Sequence, residues 1–339
     1  MIRLEPVLWN LTRVQWIPLL LCLAACGPLP SYNLPLRPLS ADAARADDVF
    51  TLPDGARLPV RTWLPAGPPR AVVLALHGFN DSRDAWELPG PVLAASGIAV
   101  FAPDQRGFGA APGRGFWPGA GALADDAAAM LGILRARYPG TKLYAMGESM
   151  GGAVLMTLAA RPGAPVLDGW ILLAPAVWGR SQMGFALSGG LWLVSGLAPG
   201  LSVTGGEVKL RVTPSDNRDA LIRLVTDPLT IRRTRFDSLR GLTDLMDAAQ
   251  DAAPRLPPNI LALYGERDDL VPGPATGRAW RAMAPGVRRG LYRSGYHLLV
   301  RDKARGLVIG DVIAWIDGAD ALLPSGADAA AASWRAAHH

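Results

Sequence analysis

Residues 147–151 read Gly147-Glu148-Ser149-Met150-Gly151, a serine with a glycine two positions away on either side. A serine hydroxyl is a poor nucleophile until an adjacent base takes its proton. The residues before it, Lys142 to Met146, read as a strand, and Met150 to Ala160 read as a helix. A nucleophile on so sharp a strand-to-helix turn sits in strained backbone, and Gly147 and Gly151, lacking Cβ atoms, let the two elements close around it. The helix N-terminus then brings a positive dipole end to where an oxyanion would develop. The chain has 38 glycines, so the bare pattern arises easily by chance. Its weight comes from its place between a strand and a helix.

Few other side chains compete for chemistry. The only cysteines are Cys22 and Cys26, which excludes an internal disulfide framework, a thiolate zinc site, an iron–sulfur cluster and a cysteine nucleophile in the body of the protein. The histidines are His77, His297 and the terminal pair His338 and His339, too few for a histidine-rich metal centre. The formal charge is +5, and the basic residues are scattered, the densest cluster being Arg232, Arg233 and Arg235. No basic block alternates with aromatics, so the expected partners do not include nucleic acid. With 50% hydrophobic and 19% charged residues the composition is globular.

The elements that must position Ser149 alternate along the chain. Val49 to Leu52 and Arg57 to Trp63 flank Asp54-Gly55 and read as a hairpin. Short apolar runs at Arg70–Leu76, Ile98–Ala102, Lys142–Met146, Gly169–Ala174, Asn259–Tyr264 and Arg288–Tyr292 read as strands. Residues 86–96, Ala122 to Arg137, Met150 to Ala160 and Leu307 to Ile316 read as helices. Strands alternating with helices predict an α/β fold with a mostly parallel central sheet covered by helices on both faces. The alternation breaks at about 176–253, which reads as a helical cap insertion within a domain spanning 47–317. Residues 318–339 are Ala-rich and are expected to fray.

On these residues the chain resembles the α/β-hydrolase superfamily. Gly-Glu-Ser-Met-Gly-Gly is most similar to the monoacylglycerol lipase and lysophospholipase group, also grouped with serine aminopeptidase-like hydrolases. His77-Gly78-Phe79 after the 71–76 strand resembles that group's oxyanion loop. Asp104-Gln105-Arg106-Gly107-Phe108-Gly109 resembles its Asp-x-Arg-Gly-x-Gly turn, and Asp227-Pro228-Leu229 its Asp-Pro-Leu element. The resemblance implies the chain order Ser, acid, His. After Ser149 the only non-terminal histidine is His297, which is implied as the base. Gly265-Glu266-Arg267-Asp268-Asp269-Leu270-Val271-Pro272 fits the group's Gly-x-x-Asp-x-x-Val-Pro and implies Asp268 as the acid that orients the imidazole. Asp269 and Glu266 are read as solvated loop charges. The implied oxyanion hole uses the backbone N–H groups of Met150 and Phe79, with His77 in structural support. Glu148 stands where the group often has histidine, and Asn80-Asp81-Ser82 departs from its Gly-x-x-His continuation.

The N-terminus reads as a processing segment. Arg3 and Arg13 precede the apolar run Val14–Ala25, which is interrupted by Gln15 and Pro18 and is too short for a span of about 20 residues. Leu23-Ala24-Ala25-Cys26 resembles the lipobox of bacterial lipoproteins, in which the signal is cut before the cysteine and the cysteine carries lipid. That implies a signal peptide over 1–25, lipidation at Cys26, a Pro-rich tether over 26–46, and anchoring in the bacterial cell envelope. Gly27 resembles outer-membrane-sorted lipoproteins, so the periplasmic face of the outer membrane is the expected location.

The expected activity is hydrolysis of carboxylic esters of single-chain lipids, monoacylglycerol or lysophospholipid, through an acyl-enzyme, with no metal or organic cofactor. Two alternatives stand beside it: an amide or thioester hydrolase on the same residues, and an inert envelope binding protein. Trp178, Phe185 and Trp192 in the cap either wall an acyl pocket or pack the cap on the body. The Arg232, Arg233 and Arg235 run reads as a solvated helix face, or as a contact for a phosphate head group.

Overall fold

The computed structural model describes residues 47–205, 207 and 212–337. Residues 1–25, expected to be a signal peptide, the expected lipidation site Cys26 and tether 26–46, and His338 and His339 lie outside the described residues.

Strand β3 (Ala71–Leu76) shows why the sheet forms. All six residues are buried, with Val72, Leu74 and Leu76 on one face and Ala71, Val73 and Ala75 on the other. A run apolar on both faces suits a strand sandwiched between helices. Around it lie β1 (Asp48–Thr51), β2 (Arg57–Trp63), β4 (Ile98–Pro103), β5 (Lys142–Glu148), β6 (Gly169–Leu173), β9 (Ile260–Gly265) and β10 (Arg288–Tyr292). The eight-stranded sheet runs β1-β2-β4-β3-β5-β6-β9-β10. Only the β1–β2 and β2–β4 pairings are antiparallel; the rest are parallel.

One face carries α2 (Ala120–Arg137), α3 (Met150–Ala159) and α8 (Gly273–Ala282), which bury Leu123, Met130, Val154 and Trp280. The other carries α1 (Pro89–Ala95) and α9 (Arg305–Asp317), which bury Leu93, Val308, Val312 and Trp315. Each fully buried large apolar side chain contributes about 1.5–3 kcal/mol of transfer free energy.

Several expectations change. Residues 86–96 do not form one helix: a 3₁₀ turn at Arg83–Trp86 is followed by α1 starting at Pro89. Proline lacks the N–H that would continue a helical ladder but suits a first helical position.

The 176–253 insertion is not wholly helical. Besides α4 (Arg180–Met183), α5 (Phe185–Leu197), α6 (Arg218–Thr226) and α7 (Phe236–Ala252), it holds a two-stranded antiparallel ribbon, β7 (Ser202–Val203) with β8 (Thr234–Arg235). The arginine run meets this ribbon and not a helix face: Arg233 pairs with Glu207, and Arg235 with Asp237. The cap joins the body through α7, where Leu245 and Ala249 are buried. Trp178 packs at the core edge, but Phe185 and Trp192 are 92% and 63% exposed and do not pack the cap on the body.

The tail does not simply fray. Ala327–Ala337 forms α10, and its Trp334 ring lies 5.5 Å from Trp280 and 6.0 Å from Tyr264. Ala327, Ala331 and Trp334, spaced along one face, bury this helix against the domain.

Candidate active site

Ser149 and the residues implied to act with it lie on loops at the C-terminal ends of four parallel strands, β3, β5, β9 and β10. The serine follows β5 and directly precedes α3, with φ +53°, a conformation that costs a non-glycine residue about 1–3 kcal/mol. Neighbouring strands over-determine it. Ser149 N donates to Leu173 O at 2.9 Å, and Ser149 O accepts from Ala153 N and Ala176 N. A Cβ on Gly151 would lie 2.3 Å from Leu76 O, and one on Gly147 would lie 2.4 Å from Gly151 C. The elbow closes only because both positions are glycine, as the motif implied.

The loop after β3 passes beside the serine. A Cβ on Gly78 would stand 3.4 Å from Ser149 Cβ and 4.0 Å from its Oγ. Phe79 comes next, and its ring packs against Phe108 and Trp117. His77 braces this loop. Its Nε2 accepts from Gln105 N at 3.1 Å, its Nδ1 donates to Gly78 O at 2.7 Å, and Gln105 Nε2 donates to His77 O. This hydrogen-bond pattern requires the neutral Nδ1–H tautomer. Burial pushes the His77 pKa below its ordinary value, which agrees. Met150 is the first residue of α3, so its N–H is one of the helix's orphan donors.

The cap base abuts the same loop. Asn80 O accepts from Ile231 N, and Asn80 Nδ2 donates to Thr234 Oγ1. Arg114 donates to the carbonyls of Pro228 and Leu229, while Asp227 accepts from Ser82 Oγ.

Asp268 and His297 come together across the loops after β9 and β10. His297 Nδ1 lies 2.7 Å from Asp268 Oδ2, and both side chains are buried. Asp268 Oδ1 accepts from Leu270 N and Val271 N, which fixes the carboxylate plane. The loops touch because residue 265 has no side chain: a Cβ there would lie 2.4 Å from Tyr296 O. Asp269 and Glu266 are exposed, and Asp269 accepts from Thr213 N. Burial lowers the pKa of His297, but the charge and hydrogen bond of Asp268, with Glu148 beyond, outweigh it and hold the imidazole above its ordinary value.

The sequence reading flagged Glu148 as a departure but not its partners. Glu148 is buried against Arg301, which also bonds Asp81. Burial pushes the Glu148 carboxyl up against the opposing pull of Arg301. Among the described residues no group of three or more His, Cys, Asp or Glu side chains could hold a metal ion. Nor is any helix among them long and apolar enough to cross a membrane.

A parallel sheet with antiparallel strands at one edge, a strained serine between β5 and α3, and a cap between β6 and β9 define an α/β-hydrolase. A family model described as serine aminopeptidase, S33, matches residues 67–304, and the chain belongs to that family. The monoacylglycerol lipase of Mycolicibacterium smegmatis is 25% identical over 278 residues, 81% of this chain and 98% of that protein. Human monoglyceride lipase is 29% identical over 222 residues, 64% of this chain and 71% of that protein. Among solved structures, a soluble variant of Saccharomyces cerevisiae monoglyceride lipase superposes with a TM-score of 0.65 at 20% identity, covering 86% of this chain and 98% of that one. Paleococcus ferrophilus monoacylglycerol lipase gives 0.63 at 22% identity, covering 76% and 98%.

Proposed function

We propose that this protein is a serine hydrolase that cleaves carboxylic esters of single-chain lipids, a monoacylglycerol or a lysophospholipid, through an acyl-enzyme. The observation that carries the reading is the buried His297–Asp268 contact of 2.7 Å on the loops neighbouring the strained Ser149 turn. Ser149 Oγ attacks the ester carbonyl as His297 Nε2 takes its proton. Asp268 holds the ring with Nε2 free and stabilises the imidazolium. The Met150 and Phe79 N–H groups receive the oxyanion. Collapse expels the alcohol, which takes the proton from His297. Water then repeats the sequence on the acyl-enzyme, releasing the fatty acid and Ser149.

The lipid substrate class draws support from the lipases of Mycolicibacterium smegmatis and human among the relatives, and from the exposed apolar side chains of α5. The membrane reading adds lipidation at Cys26 and a place on the periplasmic face of the outer membrane. Several acyl chains on one residue anchor stably, where one alone is marginal. If Cys26→Ser leaves the protein membrane-bound, the anchor is not the lipidated cysteine.

The activity is tested with purified protein on monoacylglycerols and lysophospholipids of graded chain length, beside aminoacyl amides, with Ser149→Ala as control. Ester turnover lost in Ser149→Ala is expected. Turnover of aminoacyl amides with none of glycerol esters contradicts the lipase reading and favours the aminopeptidase-like one.

A further inference from the structure

A buried ion triad joins three of the loops that make the site. Arg301 Nη2 donates to Glu148 Oε2 at 2.5 Å and to Asp81 Oδ2 at 2.7 Å. The three side chains are 5%, 1% and 7% exposed. Glu148 ends β5 and is bonded directly to Ser149. Asp81 lies two residues beyond Phe79, and its N–H donates to Gly78 O at 3.3 Å. Arg301 lies four residues beyond His297, in a turn closed by Arg301 N donating to Leu298 O at 2.8 Å. Asn217 Nδ2, from the cap, donates to Arg301 O.

Buried ion pairs are weak stabilisers, because desolvation offsets most of their attraction. Three buried charges on three site-bearing loops therefore contribute geometry more than stability. We propose that Arg301 is a positioning residue for hydrolysis, clamping the nucleophile turn and the oxyanion loop to the turn that carries His297. The proposal rests on the Ser149–His297–Asp268 reading above.

The guanidinium suits the task. It is planar and stays charged when buried, and it presents a rigid fork of donors, where lysine offers a compact point charge on a flexible stem. Burial works against the Arg301 charge, but Asp81 and Glu148 beside it hold its pKa above the ordinary arginine value.

The same groups act on His297 through space. Asp268 touches it, Glu148 favours the imidazolium and Arg301 disfavours it. Asp302, in the same turn, accepts from Tyr296 N at 2.7 Å and Ser215 Oγ at 2.6 Å, and burial pushes its carboxyl up to about 6. Asp81 shares the single charge of Arg301 with Glu148. Removing the guanidinium takes a cation from beside His297 but also leaves the buried Glu148 carboxyl without its counter-charge, so Glu148 takes up a proton and the two effects on the imidazole oppose each other. Removing the Glu148 charge alone lowers the pH at which the imidazole becomes a free base.

The test measures the rate of covalent labelling by a small fluorophosphonate against pH, with thermal unfolding of each protein. The proteins are the full chain, Arg301→Met, Arg301→Lys, Glu148→Gln and Ser149→Ala. No labelling of the unmodified chain, or labelling that persists in Ser149→Ala, overturns the serine-hydrolase reading and this proposal with it. With that control passed, Arg301→Met is expected to label at least about tenfold more slowly per folded molecule, since small misplacements of reacting groups carry losses of this size. Arg301→Lys recovers part of the rate. Glu148→Gln keeps an oxygen acceptor for Arg301 and moves the acid limb to lower pH. If folded Arg301→Met labels at the unmodified rate, Arg301 is not a positioning residue. If Arg301→Met does not fold, an unmoved limb and an unchanged rate in Glu148→Gln overturn the proposal while the serine-hydrolase reading stands.

Discussion

His297 Nδ1 lies 2.7 Å from Asp268 Oδ2, although the two residues are 29 positions apart and belong to different loops. The contact leaves His297 Nε2 as the imidazole's working atom. Asp268 is itself held by Leu270 N and Val271 N, so the ring is aimed by backbone and not by a free side chain.

Asp268→Asn keeps the shape but removes the charge, and an amide that donates to Nδ1 favours the wrong imidazole tautomer. The expected loss in kcat is about three to four orders of magnitude. The pH profile should move as well. Burial lowers the His297 pKa, while Asp268, with Glu148, raises it further than burial lowers it. The unmodified enzyme therefore gains activity only as pH rises through a pKa above the ordinary histidine value. In Asp268→Asn the residual activity should persist to lower pH. Steady-state kinetics on a soluble ester across pH checks both effects.

Gly151→Ala should destabilise the fold by about 3 kcal/mol, the upper end of typical overpacking. The new methyl would meet Leu76 O, a backbone atom in the middle of the sheet that no side-chain rotation can clear. Urea unfolding gives the magnitude. A change within a few tenths of a kcal/mol would show that the elbow is looser than described.

Trp334→Ala should cost about 3 kcal/mol, in the range for aromatic-to-alanine changes in cores. Trp334 is 8% exposed and its ring contacts both Tyr264 and Trp280. A lowered melting temperature is the expected result. An unchanged one would mean that α10 only rests on the domain.

The site was legible in the sequence where its chemistry is local. Ser149 with its glycines and Asp268 inside Gly-x-x-Asp-x-x-Val-Pro sit in short motifs, and histidine scarcity left one base. The parallel strands were legible because each is a short run buried along nearly its whole length, while β1 and β2, partly exposed, were legible from the Asp54-Gly55 turn between them. What stayed hidden depends on distant partners. Glu148 stood out as a departure, yet Arg301 lies 153 positions away, and nothing local signals that pairing. The β7–β8 ribbon has only two residues per strand, too few for a period-2 pattern. The Ala-rich tail buries Ala327, Ala331 and Trp334 on one face, but alanines stand on its other faces too, so composition masked the stripe. Phe185 and Trp192 read from their type as either walls of an acyl pocket or packing residues, and α5 turns both outward, away from the body's core.

The central claim is that Ser149 is the activated nucleophile. Intact-protein mass spectrometry after treatment with a fluorophosphonate, followed by peptide mapping, tests it most directly. The account predicts one adduct per chain, located on the peptide holding Gly147-Glu148-Ser149-Met150-Gly151 and absent in Ser149→Ala. An unmodified mass, or an adduct on another residue that survives Ser149→Ala, would contradict it.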